Sequence, residues 1–140
     1  MNVFLDSSAL AKRYVNEAGT ARVEEILSAA GSLGLSVICL SEVVSGLCRL
    51  RREGKLSPRQ YNDNKRALIQ DVEDSVIIQI TDQVVARAVE ILERWPLRSS
   101  DALHVACAAE WSTDLFVSAD TRQCKAAHSY GLRVEALGAS

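Results

Sequence analysis

The N-terminal stretch Met1-Asn2-Val3-Phe4-Leu5-Asp6-Ser7-Ser8-Ala9-Leu10 decides how the rest of the chain reads. Val3-Phe4-Leu5 is short and continuously apolar. That suits a strand covered on both faces, in the middle of a parallel sheet, better than a half-exposed one. Asp6 then falls at the strand's carboxyl end, with Ser7 and Ser8 available to cap a following helix. Open α/β sheets bind their ligands at the carboxyl ends of the strands, at the switch point. An acid in that place is either a cap or a site residue, and these ten residues alone favour the cap.

Working outward, residues 7–15 read as a short helix and 16–20 as a break. A second helix over 21–30 carries Val23, Ile26 and Leu27 on one face and stops at Gly31. Residues 35–39 read as a second strand, and Ser41 as the cap of a long helix bearing Val43, Val44, Leu47 and Leu50. Ser57-Pro58 opens the next helix, to about Glu73. Residues 76–80 form a third strand. Thr81 or Asp82 starts a helix whose Val84, Val85, Ala88, Ile91, Leu92 and Trp95 keep a 3.6 period, ended by Pro96. Ser99-Ser100-Asp101 starts a helix rich in alanine, able to lie close to a sheet. Residues 115–117 are a fourth strand that again runs into an acid, in Ser118-Ala119-Asp120. A helix over 121–130 stops at Gly131, and 132–136 reads as an edge strand. The last few residues are expected to fray. The alternation predicts one α/β domain over residues 1–140, a three-layer α/β/α arrangement with a central parallel sheet of four to five strands.

A chain of 140 residues suits a single domain. The formal charge of −2 gives no global basic field of the kind that announces nucleic acid. No apolar run reaches membrane-spanning length and no basic region precedes the first apolar residues, so no membrane association and a cytoplasmic location are expected. Cys39, Cys48, Cys107 and Cys124 form no C-x-x-C pair and read as reduced core or near-core thiols. With only two histidines in the chain, a Cys/His metal site is poorly supplied.

Four carboxylates occupy telling places. Asp6 and Asp120 follow apolar strands, Glu42 lies in a first helical turn, and Asp101 begins the alanine-rich helix. Each alone reads as a helix-start residue opposing the helix dipole. In a parallel sheet, however, all four face the same rim, where they would repel one another and raise some pKa values. A hard divalent cation such as Mg²⁺ or Mn²⁺ removes that conflict, activates water and offsets phosphoryl charge. Ser7 and Ser118 stand where they can hold a bound water or orient a carboxylate, or simply cap. His104, three residues beyond Asp101, reads as a donor behind the acids or, preferably, as a packed helix residue.

These residues carry a family resemblance. The matching pieces are Val3-Phe4-Leu5-Asp6-Ser7-Ser8-Ala9-Leu10-Ala11-Lys12 with Glu17; Ser41-Glu42-Val43; Ser100-Asp101-Ala102-Leu103-His104-Val105-Ala106-Cys107-Ala108; Phe116-Val117-Ser118-Ala119-Asp120; and Ala126-Ala127-His128-Ser129-Tyr130-Gly131-Leu132-Arg133-Val134. Together they resemble a PIN domain, and more narrowly the VapC-type toxins of toxin–antitoxin pairs. The resemblance implies a metal-dependent endoribonuclease acting on structured RNA such as tRNA or rRNA. It further implies that Asp6, Glu42, Asp101 and Asp120 hold Mg²⁺ or Mn²⁺, with Ser7 and Ser118 supporting them. A homodimer and inhibition by a small antitoxin protein are also implied.

RNA binding then needs a local basic surface. The candidates are Arg49, Arg51, Arg52 and Lys55, with Lys12 and Arg13 close to the first acid in sequence; Arg59, Lys65 and Arg66 read as a solvated helical face. The apolar surface between Val43 and Ile69 is a candidate for dimerisation or antitoxin docking. Two other readings stand beside the nuclease: a non-catalytic PIN-like interaction module, and a phosphoacceptor receiver domain. The receiver reading lacks a paired acid before the first helix and a lysine after the last strand.

Overall fold

A computed structural model describes residues 1–138; the fraying expected at the end of the chain falls on Ala139 and Ser140, outside the described residues. Five parallel strands run in the order β3-β2-β1-β4-β5. In chain order the elements are β1 (Asn2–Leu5), α1 (Ser7–Ala11), α2 (Thr20–Ala29), β2 (Ser32–Ser36), α3 (Cys39–Arg52), α4 (Pro58–Glu73), β3 (Val76–Ile78), α5 (Asp82–Arg94), α6 (Ser99–Glu110), β4 (Leu115–Ser118), α7 (Thr121–Ser129) and β5 (Val134–Ala136). The chain winds from β1 outward to β3, then crosses to β4 and β5 on the other side. The switch point therefore lies between β1 and β4, which pair Phe4 with Phe116 and Leu5 with Val117.

Strand β1 is covered on both faces, as its apolar run demands. Val3 and Leu5 join Leu10, Val23, Leu35, Val43 and Leu68 on one side of the sheet. Phe4 points the other way, with Ile91, Val105, Ala106 and Phe116. This alternation is the period of two of a pleated strand. The Phe4 and Phe116 rings stack at 5.8 Å between centroids, an arrangement worth about 0.5–1.5 kcal/mol beyond area burial.

Strand β2 departs from expectation. It begins three residues earlier than the apolar pattern suggests, at Ser32, paired with Asn2. The strand reads Ser-Leu-Gly-Leu-Ser, and Gly34 is dictated by the Trp111 ring: a Cβ there would meet the ring carbons at 2.4 Å. The apolar run after it leaves the sheet. Val37 is 40% exposed, and Cys39 already begins α3. Ser41 is consequently inside the helix, donating its hydroxyl proton to the Ile38 carbonyl at 3.1 Å, and not its cap. Helix α1 is shorter than expected, since tight turns from Ala9 to Lys12 and Leu10 to Arg13 replace helical bonds beyond Ala11. Strand β3 ends at Ile78 and β5 begins at Val134, at the two sheet edges.

Helices α4, α5 and α7 begin as their local signals predict. Ser57 and Gln60 form a reciprocal capping box on α4, Thr81 caps α5, and Asp120 caps α7. The small residues of α6 let it sink: Ala102, Val105, Ala106, Cys107 and Ala108 are fully buried. All four cysteines are free. Among the described residues no helix is long and apolar enough to cross a membrane.

Candidate active site

The carboxyl ends of β1 and β4 place Asp6 and Asp120 side by side in the fold, and each doubles as a helix cap. Asp6 is 1% exposed. Its Oδ1 accepts from the Ala9 amide at 2.9 Å and the Ser8 hydroxyl at 2.7 Å, and its Oδ2 accepts from Ser118. The cap and site readings of Asp6 thus coexist. Burial pushes its carboxyl above the usual range; the nearby His104 and the bonds from Ser118, Ala9 and Ser8 act downward without reversing that. Asp120 Oδ1 accepts from the amides of Arg122 and Gln123 at 2.9 and 3.3 Å.

Ser118 joins the two acids. It is fully buried, donates to Asp6 and accepts from the Asp120 amide at 2.9 Å. Ser8 closes the same loop, accepting from the Ala119 amide at 3.0 Å.

Glu42 and Asp101 enter from the first turns of α3 and α6. Glu42 Oε1 accepts from Ser7 Oγ at 2.7 Å and from His104 Nε2 at 2.5 Å. Partial burial works upward on the Glu42 carboxyl, but the bonds from His104 and Ser7 outweigh it and hold the group below its usual range. His104 is both things the sequence suggests: its ring packs edge-on against Phe4 at 6.4 Å between centroids, while Nε2 reaches the acids. Its Nδ1 is buried without a hydrogen-bond partner among the described residues. Asp101 is 7% exposed. Arg98 reaches it from outside, Nε to Oδ2 at 3.2 Å, and Gln123 Nε2 donates to its Oδ1 at 3.4 Å from inside.

One small pocket, about 80 Å³, is lined by Asp6, Glu42, Asp101 and Asp120 together with Ser7, Ser8, Arg98, His104 and Gln123. Four acids from distant parts of the chain thus share a wall. Their charge is not left bare, because serines, amides, Gln123, His104 and Arg98 each take a carboxylate oxygen. Among the described residues no three His, Cys, Asp or Glu side chains stand as a ready-made cation cluster. The donor set nonetheless suits a hard cation, being carboxylate and hydroxyl oxygen throughout. Gln123, which also lines the pocket, is 2% exposed, and its Oε1 has no partner among the described residues.

The sequence pattern singles out neither Arg98 nor Gln123 as a site residue. The signals were present. Arg98 stands three residues before Asp101, the spacing of a helical pair. Gln123 sits at the third position after its cap and shares the buried face of α7 with Cys124, Ala126 and Ala127.

The basic candidates separate. Lys12 is 5% exposed and pairs with Glu17 at 3.4 Å, so it lies beneath the surface. Arg13 turns away to Glu24 and Asp71. Arg49, Arg51 and Arg52 are exposed on the last turn of α3. The Arg51 guanidinium covers the Tyr61 ring at 4.3 Å, and Arg49 lines a groove that begins at Ser7 and Glu42.

Comparison with known proteins places these features. The family profile described as "PIN domain" matches residues 3–129. Comparison with curated proteins finds no match. Among solved structures the fold matches VapC20 of Mycobacterium tuberculosis, a sarcin-ricin loop cleaving toxin, at 18% identity and a TM-score of 0.69, over 93% of this chain and 95% of that one. It matches VapBC2 of Rickettsia felis, solved bound to a DNA fragment from their promoter, at 15% identity and 0.71, over 99% and 100%. FitAcB of Neisseria gonorrhoeae matches at 19% and 0.69, over 94% and 95%. At such identities the likeness is one of fold.

Proposed function

Since the chain belongs to the PIN domain family, we propose that it is a metal-dependent endoribonuclease, the toxin of a type II toxin–antitoxin pair. Its substrates are RNA phosphodiesters of the tRNA or rRNA class. The observation that carries this reading is the meeting of Asp6, Glu42, Asp101 and Asp120 in one pocket at the switch point of the sheet. Asp6, Asp101 and Asp120 would hold Mg²⁺ or Mn²⁺, with Glu42 joining them through water. Such a cation, when bound, supplies an activated water and charge compensation for the transferring phosphoryl group.

The chain's own residues do the rest. Ser118 and Ser8 fix both Asp6 oxygens, and Ser118 also anchors the Asp120 backbone. His104 and Ser7 hold Glu42 charged, ready to accept a proton from the attacking water. Arg49, Arg51 and Arg52 are the proposed RNA-binding surface; Lys12 and Arg13, already paired, would act on it only indirectly. The cognate antitoxin, a homodimer and a cytoplasmic location complete the proposal. The soundest test is incubation of the protein with total RNA and Mg²⁺ or Mn²⁺, mapping new 5′ ends, beside the Asp101→Asn variant. Cation-dependent cuts that vanish in the variant are expected; cuts that persist in it would refute the assignment.

One observation favours a second reading, a non-catalytic interaction module. Every acid already has partners of its own. A protein that binds no Mn²⁺, gains no thermal stability from it and cuts no RNA would establish that reading.

A further inference from the structure

Arg98 stands where three depressions meet. It lines the acid pocket, the groove between α1 and α3 that also contains Arg49 and Leu50, and an open cleft shared with Asp101, Asp120 and Arg122. Its side chain is 80% exposed, yet its fork lies against Asp101, with Nε 3.2 Å from Oδ2 and Nη2 3.5 Å from Oδ1. Only the guanidinium end of the pair stands in solvent; the Asp101 side chain is 11% exposed, so Arg98 compensates an acid that the fold has largely buried. A guanidinium fork matches a phosphate as well as it matches a carboxylate.

We propose that Arg98 is a resident counter-ion of Asp101 that a divalent cation displaces, and that the freed guanidinium then binds an RNA phosphate beside the one to be cut. This rests on the nuclease reading and adds an order of events to it. Before loading, Arg98 neutralises Asp101. Loading takes the Asp101 oxygens, which leaves the fork facing the cleft with Arg122. The strand would then run from Arg49 in the groove, past Arg98, to Arg122. Cation and RNA binding become linked through one side chain, and the cation strengthens the grip on RNA.

The test is made on the whole protein, with Mn²⁺ as the metal probe and a fluorescently labelled single-stranded RNA. Mn²⁺ affinity is read by electron paramagnetic resonance. RNA binding is read in a stopped-flow, ahead of cleavage, over a range of salt concentrations. Arg98→Gln is expected to bind Mn²⁺ about two- to five-fold more tightly, the size of a pair whose cation is screened by solvent. With Mn²⁺ present its salt slope for RNA should fall by about one relative to wild type; in EDTA the two slopes should agree. Arg98→Lys, which keeps the charge, should restore the slope. Equal Mn²⁺ affinity, or an equal slope with Mn²⁺ present, would overturn the proposal. If wild type binds Mn²⁺ and cuts RNA while Arg98→Gln changes neither measurement, this inference alone fails; if wild type binds no Mn²⁺, the nuclease reading fails with it.

Discussion

At the amino end of the sheet Asp71 and Glu24 face Arg13, while at the carboxyl end Asp6, Glu42, Asp101 and Asp120 face mainly neutral donors. Both rims gather acids, but they settle them differently. Asp71, near the end of α4, takes Arg13 at 2.9 Å and the Tyr14 hydroxyl; Glu24 takes Arg13 at 3.1 Å. A carboxylate near a helix C-terminus opposes the dipole and needs a cation. Burial and the Asp71 carboxylate push the Tyr14 hydroxyl upward, so it stays a donor. At the other rim the acids sit at helix starts, where the dipole already favours them. Serines, amides and Gln123 orient those carboxylates without cancelling their charge, and among the described residues Arg98, on Asp101, is the one arginine paired there. The lesson is that the amino rim is an electrostatically finished structure and the carboxyl rim is not; the remaining charge there is available to a ligand.

The contrast can be broken most directly by neutralising one acid on each rim. Asp101→Asn should lower RNA cleavage about a thousand-fold, the several kcal/mol that a cation-holding group supplies, with an unchanged circular dichroism spectrum. His104→Leu should lower cleavage by about ten- to hundred-fold, the usual cost of removing a group that orients a ligand; cleavage at the wild-type rate would reduce His104 to a packing residue. Asp71→Asn should leave cleavage as it was. It should cost about 1–2 kcal/mol in urea unfolding, because Arg13 and Tyr14 lose a charged acceptor. A cleavage defect in Asp71→Asn without loss of stability would erase the distinction between the rims.

The smallest expected effect sharpens the comparison through pH. Asp6 has a raised folded-state pKa, so its charge is a burden at neutral pH. Its contribution is fully present below the ordinary value of 3.8 and is lost as pH rises through the folded value. Asp6→Asn, which keeps a capping side chain, should therefore melt about 2–5 °C above wild type at neutral pH, with the gap closing in acid. Glu42, held low, has the opposite sign: its contribution is present above 4.5 and is lost as pH falls through the folded value. Melting temperatures of Asp6→Asn and Glu42→Gln across pH would separate the two. An Asp6→Asn variant that melts below wild type at neutral pH would contradict the idea that function is held here at a cost in stability.

Much of this was legible because the informative residues sit where strand meets helix. Val3-Phe4-Leu5-Asp6 and Leu115-Phe116-Val117-Ser118-Ala119-Asp120 announce both a buried strand and the acid that follows it, and the structure puts them side by side. Strand β2 begins three residues before its apolar run because its Ser-Leu-Gly-Leu-Ser pattern is set by the approach of Trp111 to Gly34, a contact between distant segments that no local period encodes. Helix α3 likewise swallowed the apolar run that looked like the end of a strand. Arg98 and Gln123 are hard to read from sequence for a related reason. Their spacing satisfies ordinary helix-start rules, and only tertiary structure turns them toward Asp101. His104 packs against Phe4 and reaches Glu42 with the same ring, so neither reading of the sequence excludes the other.

The placement of β1 has a consequence for when the site assembles. Strand β1, the first of the described strands in chain order, occupies the middle of the finished sheet, and it waits for β4, more than a hundred residues later in the chain, to supply its second neighbour. Ser118 and Asp120 arrive with that late strand, so an incomplete nascent chain has acids but no pocket. Any activity of this site would then begin only once β4 has been made and has paired with β1, a delay built into the order of the strands.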